Sequence, residues 1–190
     1  MISILLPSVN EHGLQHLIYE IDSIYPCAQI VVGTDRYRKG KGWALRQALS
    51  QATGDIIVFL DGDGDISPKM IARLLPHLDK FDIVCGKKEP GNRLDRKILT
   101  ILSRMYIRFM FGIPVDTQTG IKVFKRDHLP EWESDGFEFD IEVLAKAQRA
   151  GSKMFDVGVE ARCERKMKLN AIFATLKGSF KIWLNLQKRK

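Results

Sequence analysis

The sequence predicts an α/β domain built on a mostly parallel sheet flanked by helices, with an amphipathic helix at its C-terminus. Two patterns carry this reading. Apolar runs of strand length alternate with segments whose apolar residues recur three and four apart, and turn-forming residues sit at the handovers. Strands are expected at 2–6, 29–32, 55–60 and 82–85, with covering helices at 13–24, 42–52 and 68–78. Ser67 ahead of Pro68 is a helix-entry signal, a capping hydroxyl followed by proline in the first helical position. Asp61 to Asp65 therefore fall in a strand-to-helix loop, and ligands of open α/β sheets bind at the carboxyl ends of the strands.

The second half is less regular. It offers a long apolar segment at 93–111, a short strand at 121–124, a helix at 139–150 stopped by Gly151, and a last strand at 157–161. Beyond it, 169–186 reads as a helix with Phe173, Leu176, Phe180, Trp183 and Leu184 roughly on one side and lysines beside them. The expected organisation is one catalytic domain over 1–168 and a basic amphipathic helix over 169–190.

Hydrophobic residues make up 45 % of the 190 and charged residues 28 %, which excludes disordered and fibrous classes. The charge is unevenly placed. From Arg162 onward nine Lys and Arg face the single acid Glu164, a balance of +8 within a total of +7, so the rest of the chain stands at −1. A basic end of this kind seeks an anionic partner: phosphate, a membrane face or nucleic acid. Cys27, Cys85 and Cys163 are odd in number and form no C-x-x-C pair, which argues against a disulfide framework or zinc ribbon and for a reducing, cytoplasmic setting. Residues 1–7 lack the basic start of a signal peptide, and no unbroken apolar run reaches the roughly 18 residues that a membrane span needs.

Asp61, Asp63 and Asp65 follow the apolar run Ile56 to Leu60, and three carboxylates so close repel one another unless a counter-charge joins them. A divalent cation resolves the conflict. Oxygen-only ligands favour Mg²⁺ or Mn²⁺, and Gly62 and Gly64 let the backbone turn sharply beside a ligand. A calcium loop of the EF-hand kind wants Gly and Glu where Ile66 and Ala72 stand. A dehalogenase-like phosphatase wants Thr or Val at Asp65, and a purely structural acidic turn stays open on these residues alone.

The company of the acidic run is more specific. Pro7-Ser8-Val9-Asn10-Glu11, Gly33-Thr34-Asp35, Gly40-Lys41-Gly42 and Phe59-Leu60-Asp61-Gly62-Asp63 resemble, in order and spacing, the donor half of family 2 glycosyltransferases with the GT-A fold. Asp116-Thr117-Gln118-Thr119-Gly120-Ile121-Lys122-Val123-Phe124 and Gly136-Phe137-Glu138-Phe139-Asp140-Ile141-Glu142 are similar to segments of the polyprenyl-phosphate sugar transferases, the dolichyl-phosphate mannosyltransferase group. The resemblance spans essentially residues 1–170.

It implies that Pro7, Asn10, Glu11 and Asp35 hold the nucleoside, that Lys41 reaches a donor phosphate, and that Asp61, Gly62 and Asp63 form the D-x-D clamp on the donor diphosphate. Asp61, Asp63 and Asp65 become the metal ligands, with Asp65 standing where the family often carries Gln. Arg162 and Lys168 match a loop pattern R-x-x-G-x-S-K-L that closes over the donor, from which Arg165 and Met167 depart. Arg93 and Arg96 are the implied contacts to an acceptor phosphate, while Arg104 is open between that role and an exposed helix face. Asp116 is implied near the metal or the sugar and, with Asp63, Arg93 and Arg96, makes up the expected catalytic set.

The implied activity is inverting transfer of a sugar from a nucleoside diphosphate donor, GDP-mannose or a UDP-sugar, to a polyprenyl or dolichyl phosphate. It would run at the cytoplasmic membrane face, on a peripheral enzyme, with no nucleic acid involved. The apolar stretch 98–113, broken by Arg104 and Arg108, is expected on the membrane face with the final helix, or else in the core or a dimer interface. A sugar-hydroxyl acceptor is the first alternative and would need a general base, for which Asp116 is the candidate. A nucleic-acid-binding module using the basic tail is the alternative from another class.

Overall fold

The central strands bury both faces, so their side chains divide into two cores. In β3 (Ile56–Leu60), Ile57 and Phe59 point to one side of the sheet and Val58 and Leu60 to the other. The computed structural model describes residues 1–8, 13–88, 94–160 and 169–188, with backbone alone for 94–100 and 169–176. The other strands are β1 (Ile2–Ser8), β2 (Gln29–Thr34), β4 (Ile83–Lys88), β5 (Ile121–Lys125) and β6 (Met154–Val159), in the order β2-β1-β3-β5-β4-β6.

One face is covered by α1 (Leu14–Ile24), through Leu17 and Ile21, and by the single α-helical turn α3 (Ile71–Leu74). The opposite face takes α2 (Lys41–Leu49), α4 (Leu94–Phe111), α5 (Phe139–Arg149) and α6 (Leu169–Lys188) around Phe59, Phe124, Trp132 and Phe139. The Trp132 ring lies 5.9 Å from Phe59 and 5.8 Å from Phe139, and its Nε1 donates to the Gly42 carbonyl at 3.0 Å. That contact ties the start of α2 to the core.

The sheet is mostly parallel as expected, and two elements depart from the sequence expectation for physical reasons. Among the described residues five strands run in one direction, while β5 opposes both neighbours, pairing Leu60 with Ile121 and Ile83 with Phe124. The segment expected as one helix at 68–78 is broken into a 3₁₀ turn, α3 and a second 3₁₀ turn, because Pro76 has no N–H to continue the helical ladder. β6 begins earlier than expected and ends at Val159; as an edge strand it buries only Met154, Val157 and Val159, so its apolar signal is thin.

The C-terminal helix is seated on the domain. Ile182 and Leu186 join the core cluster that includes α5, the Arg149 guanidinium donates to the Leu186 carbonyl, and Tyr106 and Ser179 hydroxyls meet at 3.2 Å. Phe180 and Leu184 point outward from the same helix. Among the described residues no helix is long and apolar enough to cross a membrane.

Trp132→Ala is expected to cost about 3–5 kcal/mol in a urea unfolding curve, the range for emptying a buried aromatic site. Tyr37→Ala, at a residue 77 % exposed, should stay within about 0.5 kcal/mol of the parent.

Candidate active site

The antiparallel β5 brings two loops together. Because Leu60 pairs with Ile121, the segment entering β5 lies beside the segment leaving β3, and the Asp61 N–H donates to the Gly120 carbonyl at 2.9 Å. Gly120 is required by this approach, since a Cβ on it would overlap the Asp61 carboxylate. Past Asp61 the chain turns tightly. The Asp65 N–H donates to Asp63 Oδ1 at 3.0 Å, and Gly64 takes a positive φ of 71° that a side chain would strain.

Asp61 meets a lysine. Lys41 Nζ lies 2.7 Å from Asp61 Oδ1 and 3.5 Å from Asp140 Oδ2, while Asp140 Oδ1 is 2.7 Å from Lys122 Nζ. Lys122 is 2 % exposed and also donates to the Thr119 carbonyl at 2.7 Å. Four charges of alternating sign thus link the ends of β3, β5, α2 and α5. Burial alone pushes the Lys41 ammonium toward neutrality, but Asp140 and then Asp61 more than reverse this and hold it charged, above the ordinary lysine range.

Asp35 sets the approach of Lys41. Its buried carboxylate accepts the N–H of Lys39 at 2.9 Å and of Gly40 at 2.7 Å, so both oxygens are engaged by the loop that leads into α2. A second support comes from the segment before α5. Arg46 ion-pairs with Asp135 and donates to the Ser134 carbonyl at 3.0 Å, and Glu142 accepts the N–H groups of Ser134 and Glu133 at 2.8 and 3.0 Å. Burial raises the Glu142 carboxyl, but Lys146 and the Ser134 and Glu133 donors outweigh it and leave it below the ordinary carboxylate range.

On the other side of the β5 entry loop, Asp116 is held by Arg104. The guanidinium reaches Asp116 Oδ2 at 2.6 Å and the Lys88 carbonyl at 3.2 Å, which settles Arg104 as inward-facing and half-buried. The Asp116 N–H donates to Asp156 Oδ1 at 2.9 Å. Burial, together with the nearby Asp116 charge, raises the Asp156 carboxyl against that hydrogen bond. Thr119 Oγ1 and Arg104 Nε are buried without a hydrogen-bond partner among the described residues, so this edge carries unused polar capacity.

The expected residues therefore separate. Pro7, Asp35, Lys41, Asp61, Gly62, Asp63, Asp65 and Asp116 all fall in or at the ends of segments on the carboxyl edge of the parallel strands. Asn10, Glu11, Arg93, Arg162 and Lys168 lie outside the described residues, as does the side chain of Arg96. Lys122 and Asp140 join the candidate site; both stand in segments that resemble the family, yet the sequence assigns neither a role. The available signal was a lysine within the apolar run Ile121 to Phe124 and an acid at the start of a buried helix.

For a divalent cation, the donor chemistry fits: Asp61, Asp63 and Asp65 offer anionic oxygen only. Their arrangement is not a closed cluster. Among the described residues no three or more His, Cys, Asp or Glu side chains gather as a ligand set, because Asp61 is turned to Lys41 and Asp63 closes its own turn. A cleft of about 340 Å³ lies elsewhere, between the 133–138 segment and α6, where Glu142 is already committed to backbone donors and Lys146.

A family profile described as "Glycosyl transferase family 2" matches residues 13–127. The chain belongs to glycosyl transferase family 2. Among curated members, the undecaprenyl-phosphate mannosyltransferase of Micrococcus luteus is 26 % identical over 135 residues, covering 65 % of this chain and 54 % of that one. The polyprenol monophosphomannose synthase of Mycolicibacterium smegmatis is 26 % identical over 136 residues, 65 % of this chain and 49 % of that one. The chain thus spans about half the length of these relatives. Among solved structures, glucosyl-3-phosphoglycerate synthase from Mycobacterium tuberculosis, in complex with Mn²⁺, uridine-diphosphate and phosphoglyceric acid, superposes with a TM-score of 0.71 at 20 % identity, covering 97 % of this chain and 78 % of that one. The same enzyme in complex with Mg²⁺ and uridine-diphosphate gives a TM-score of 0.70 at 20 % identity, with 97 % and 78 % covered. The fold shared with these structures is GT-A, and the family 2 core reaches from α1 to the turn after β5.

The depressed Glu142 predicts a sign for pH dependence. A carboxyl whose folded pKa lies below its unfolded one stabilises above the unfolded value and loses that contribution as pH falls through the folded value. Glu142→Gln should cost about 1–3 kcal/mol at neutral pH, and the gap to the parent in chemical denaturation should close as pH falls below the usual carboxylate range.

Proposed function

We propose that this chain carries the sugar-transferring half of a polyprenyl-phosphate glycosyltransferase, moving a hexose from a nucleoside diphosphate donor to a lipid phosphate. One observation carries the reading: the D-x-D acid Asp61 sits at the carboxyl end of a buried central strand, fixed by Gly120 and met by Lys41 at 2.7 Å. Family membership supports the reaction class, and the names of the two curated relatives support the lipid phosphate acceptor and mannose as the sugar. GDP-mannose is therefore the first donor to try and UDP-sugars the second.

The donor diphosphate lies at the carboxyl edge beside Asp61, where the Lys41 ammonium faces its negative charge. Asp61, Asp63 and Asp65 would hold Mg²⁺ or Mn²⁺, which would neutralise charge on the departing diphosphate. The acceptor phosphate oxygen attacks the anomeric carbon from the opposite side. The new C1–O bond forms as the bond to the diphosphate breaks, with inversion. A lipid monophosphate has its second pKa near 6 and is largely dianionic at neutral pH, so no proton has to be removed from it. Catalysis is then mainly placement and electrostatics. Arg93 and Arg96 are proposed for the acceptor phosphate, Pro7, Asn10, Glu11 and Asp35 for the nucleoside side, and Arg162 and Lys168 for closure over the donor. Asp116, pinned by Arg104, is proposed to orient the sugar.

A lipid acceptor requires contact with a bilayer, and α4 offers a surface for it. Ile101, Leu102, Met105 and Phe109 line its outer side opposite buried Ile107, with Phe109 90 % exposed and Arg108 alongside. Exposed Phe180 and Leu184 with Lys177 and Lys181 on α6 add an apolar and basic strip. A peripheral position on a membrane surface follows from this reading, and the cytoplasmic face is the side proposed.

Radiolabelled GDP-mannose, incubated with the protein, Mn²⁺ and polyprenyl phosphate in anionic vesicles, should deliver label to an organic-extractable, acid-labile lipid. Gly120→Ala, which displaces Asp61, should lower the rate by about 100-fold with the fold retained. Phe109→Ser should slow transfer to vesicle-borne acceptor and spare transfer to detergent-dispersed acceptor. Label arriving only in a water-soluble glycan would favour a hydroxyl acceptor. Salt-sensitive RNA or DNA binding that survives Asp61→Ala and Asp63→Ala, without any transfer, would favour the basic tail as a nucleic-acid module.

A further inference from the structure

Lys41 pairs with Asp61, a proposed metal ligand, and this sets a problem of charge. Lys41 and a divalent cation would compete for the same Asp61 carboxylate, and a buried ammonium released from its only partner would be strongly unfavourable. Lys41 has a second partner. Asp140 stands 3.5 Å from its Nζ, and Asp140 is itself held at 2.7 Å by Lys122, whose side chain is buried against the Thr119 carbonyl. Lys41 can therefore give up Asp61 without losing every counter-charge.

We propose that Lys41 is an internal placeholder for the cation: it holds Asp61 until the metal arrives and, kept in place by Asp140 and Lys122, then turns to the donor diphosphate. Asp140 and Lys122 are positioning residues in this scheme, acting through Lys41. Their geometry is suited to that task. The Asp140 carboxylate bridges the two ammonium groups with separate oxygens, and it enters from the first turn of α5, an element whose opposite end carries no part of the site. Lys122 anchors the bridge to β5, the same strand whose entry loop positions Asp61 through Gly120. Metal and nucleotide binding are thereby coupled through one ammonium group: the cation frees Lys41, and the freed Lys41 strengthens the hold on diphosphate.

The inference rests on the metal-dependent donor site proposed above, and binding measurements separate the two. Mn²⁺ is titrated into the intact protein without nucleotide, with free Mn²⁺ followed by electron paramagnetic resonance, and the nucleoside diphosphate is then titrated at saturating Mn²⁺. Lys41→Met should bind Mn²⁺ on the order of tenfold more tightly, the equivalent of removing one partly buried ion pair, yet bind the diphosphate more weakly. Lys41→Arg should return both affinities toward the parent. Asp140→Asn should weaken Mn²⁺ binding, because Lys41 then has Asp61 alone. Lys122→Met removes the same unit charge without touching Asp61 and should change Mn²⁺ affinity far less than Lys41→Met does. Thermal unfolding of each variant confirms that the fold is kept, and the opposite signs expected for Lys41→Met and Asp140→Asn cannot both come from misfolding. If Lys41→Met binds Mn²⁺ no more tightly than the parent, or if Lys122→Met tightens it equally, the placeholder role is overturned while the donor site stands. If neither the parent nor any variant binds Mn²⁺, the metal site and the placeholder fall together.

Discussion

A lysine buried in a β-strand must have its charge answered, and in this protein the answer organises the site. Lys122 draws Asp140 to it at 2.7 Å, Asp140 faces Lys41, and Lys41 reaches Asp61 at the end of β3. Each link comes from a different element, so the pairing fixes β5, α5, α2 and β3 relative to one another. Buried pairs of this kind add little net stability against an apolar core, but losing one partner leaves an uncompensated charge. The network therefore acts more as a constraint on arrangement than as a reservoir of stability. It also explains why Gly120 is needed: the antiparallel strand that carries Lys122 must also let its entry loop lie directly against Asp61.

The α/β rhythm was legible because strand and helix periods are local properties of the chain, and β1 to β4 fall close to the apolar runs that announced them. The D-x-D loop was legible for the same reason, as an acidic run at the end of a buried strand. The direction of β5 was not. Alternation along Ile121 to Lys125 is the same whichever way the strand runs, and only its pairing with Leu60 and Ile83 sets the direction. The part played by Lys122 was not legible within its short strand, since its partner Asp140 lies on another element and becomes visible only once the chain is folded. Arg104 was undecided because a helical pattern gives a side chain's face but not its partner, and Asp116 supplies that partner from a separate loop.

The carboxyl edge carries the charge, while the apolar surface of α4 and the lysine-bearing outer side of α6 lie on the layer that also holds α2 and α5. Tyr106 and Ser179 link α4 to α6, so the two exposed strips belong to neighbouring helices. In the proposed reaction a water-soluble donor entering at the sheet edge and a lipid acceptor entering along those helices would meet near Asp116, which Arg104 fixes from α4 itself. This arrangement gives Arg104 a part in both, because it joins the helix proposed to meet the bilayer to the loop that borders Asp61.

The carboxyl edge around Asp61 and Asp63 is proposed to bind a nucleoside diphosphate together with a divalent cation. The most direct measurement is the thermal midpoint of the purified protein against a panel of nucleotides and nucleotide sugars, each with and without Mn²⁺ or Mg²⁺. At least one nucleoside diphosphate or its sugar should raise the midpoint only when the cation is present, and Asp61→Asn and Asp63→Asn should abolish the rise. Stabilisation that is absent throughout, or that is the same without metal and in both variants, would contradict the proposed binding.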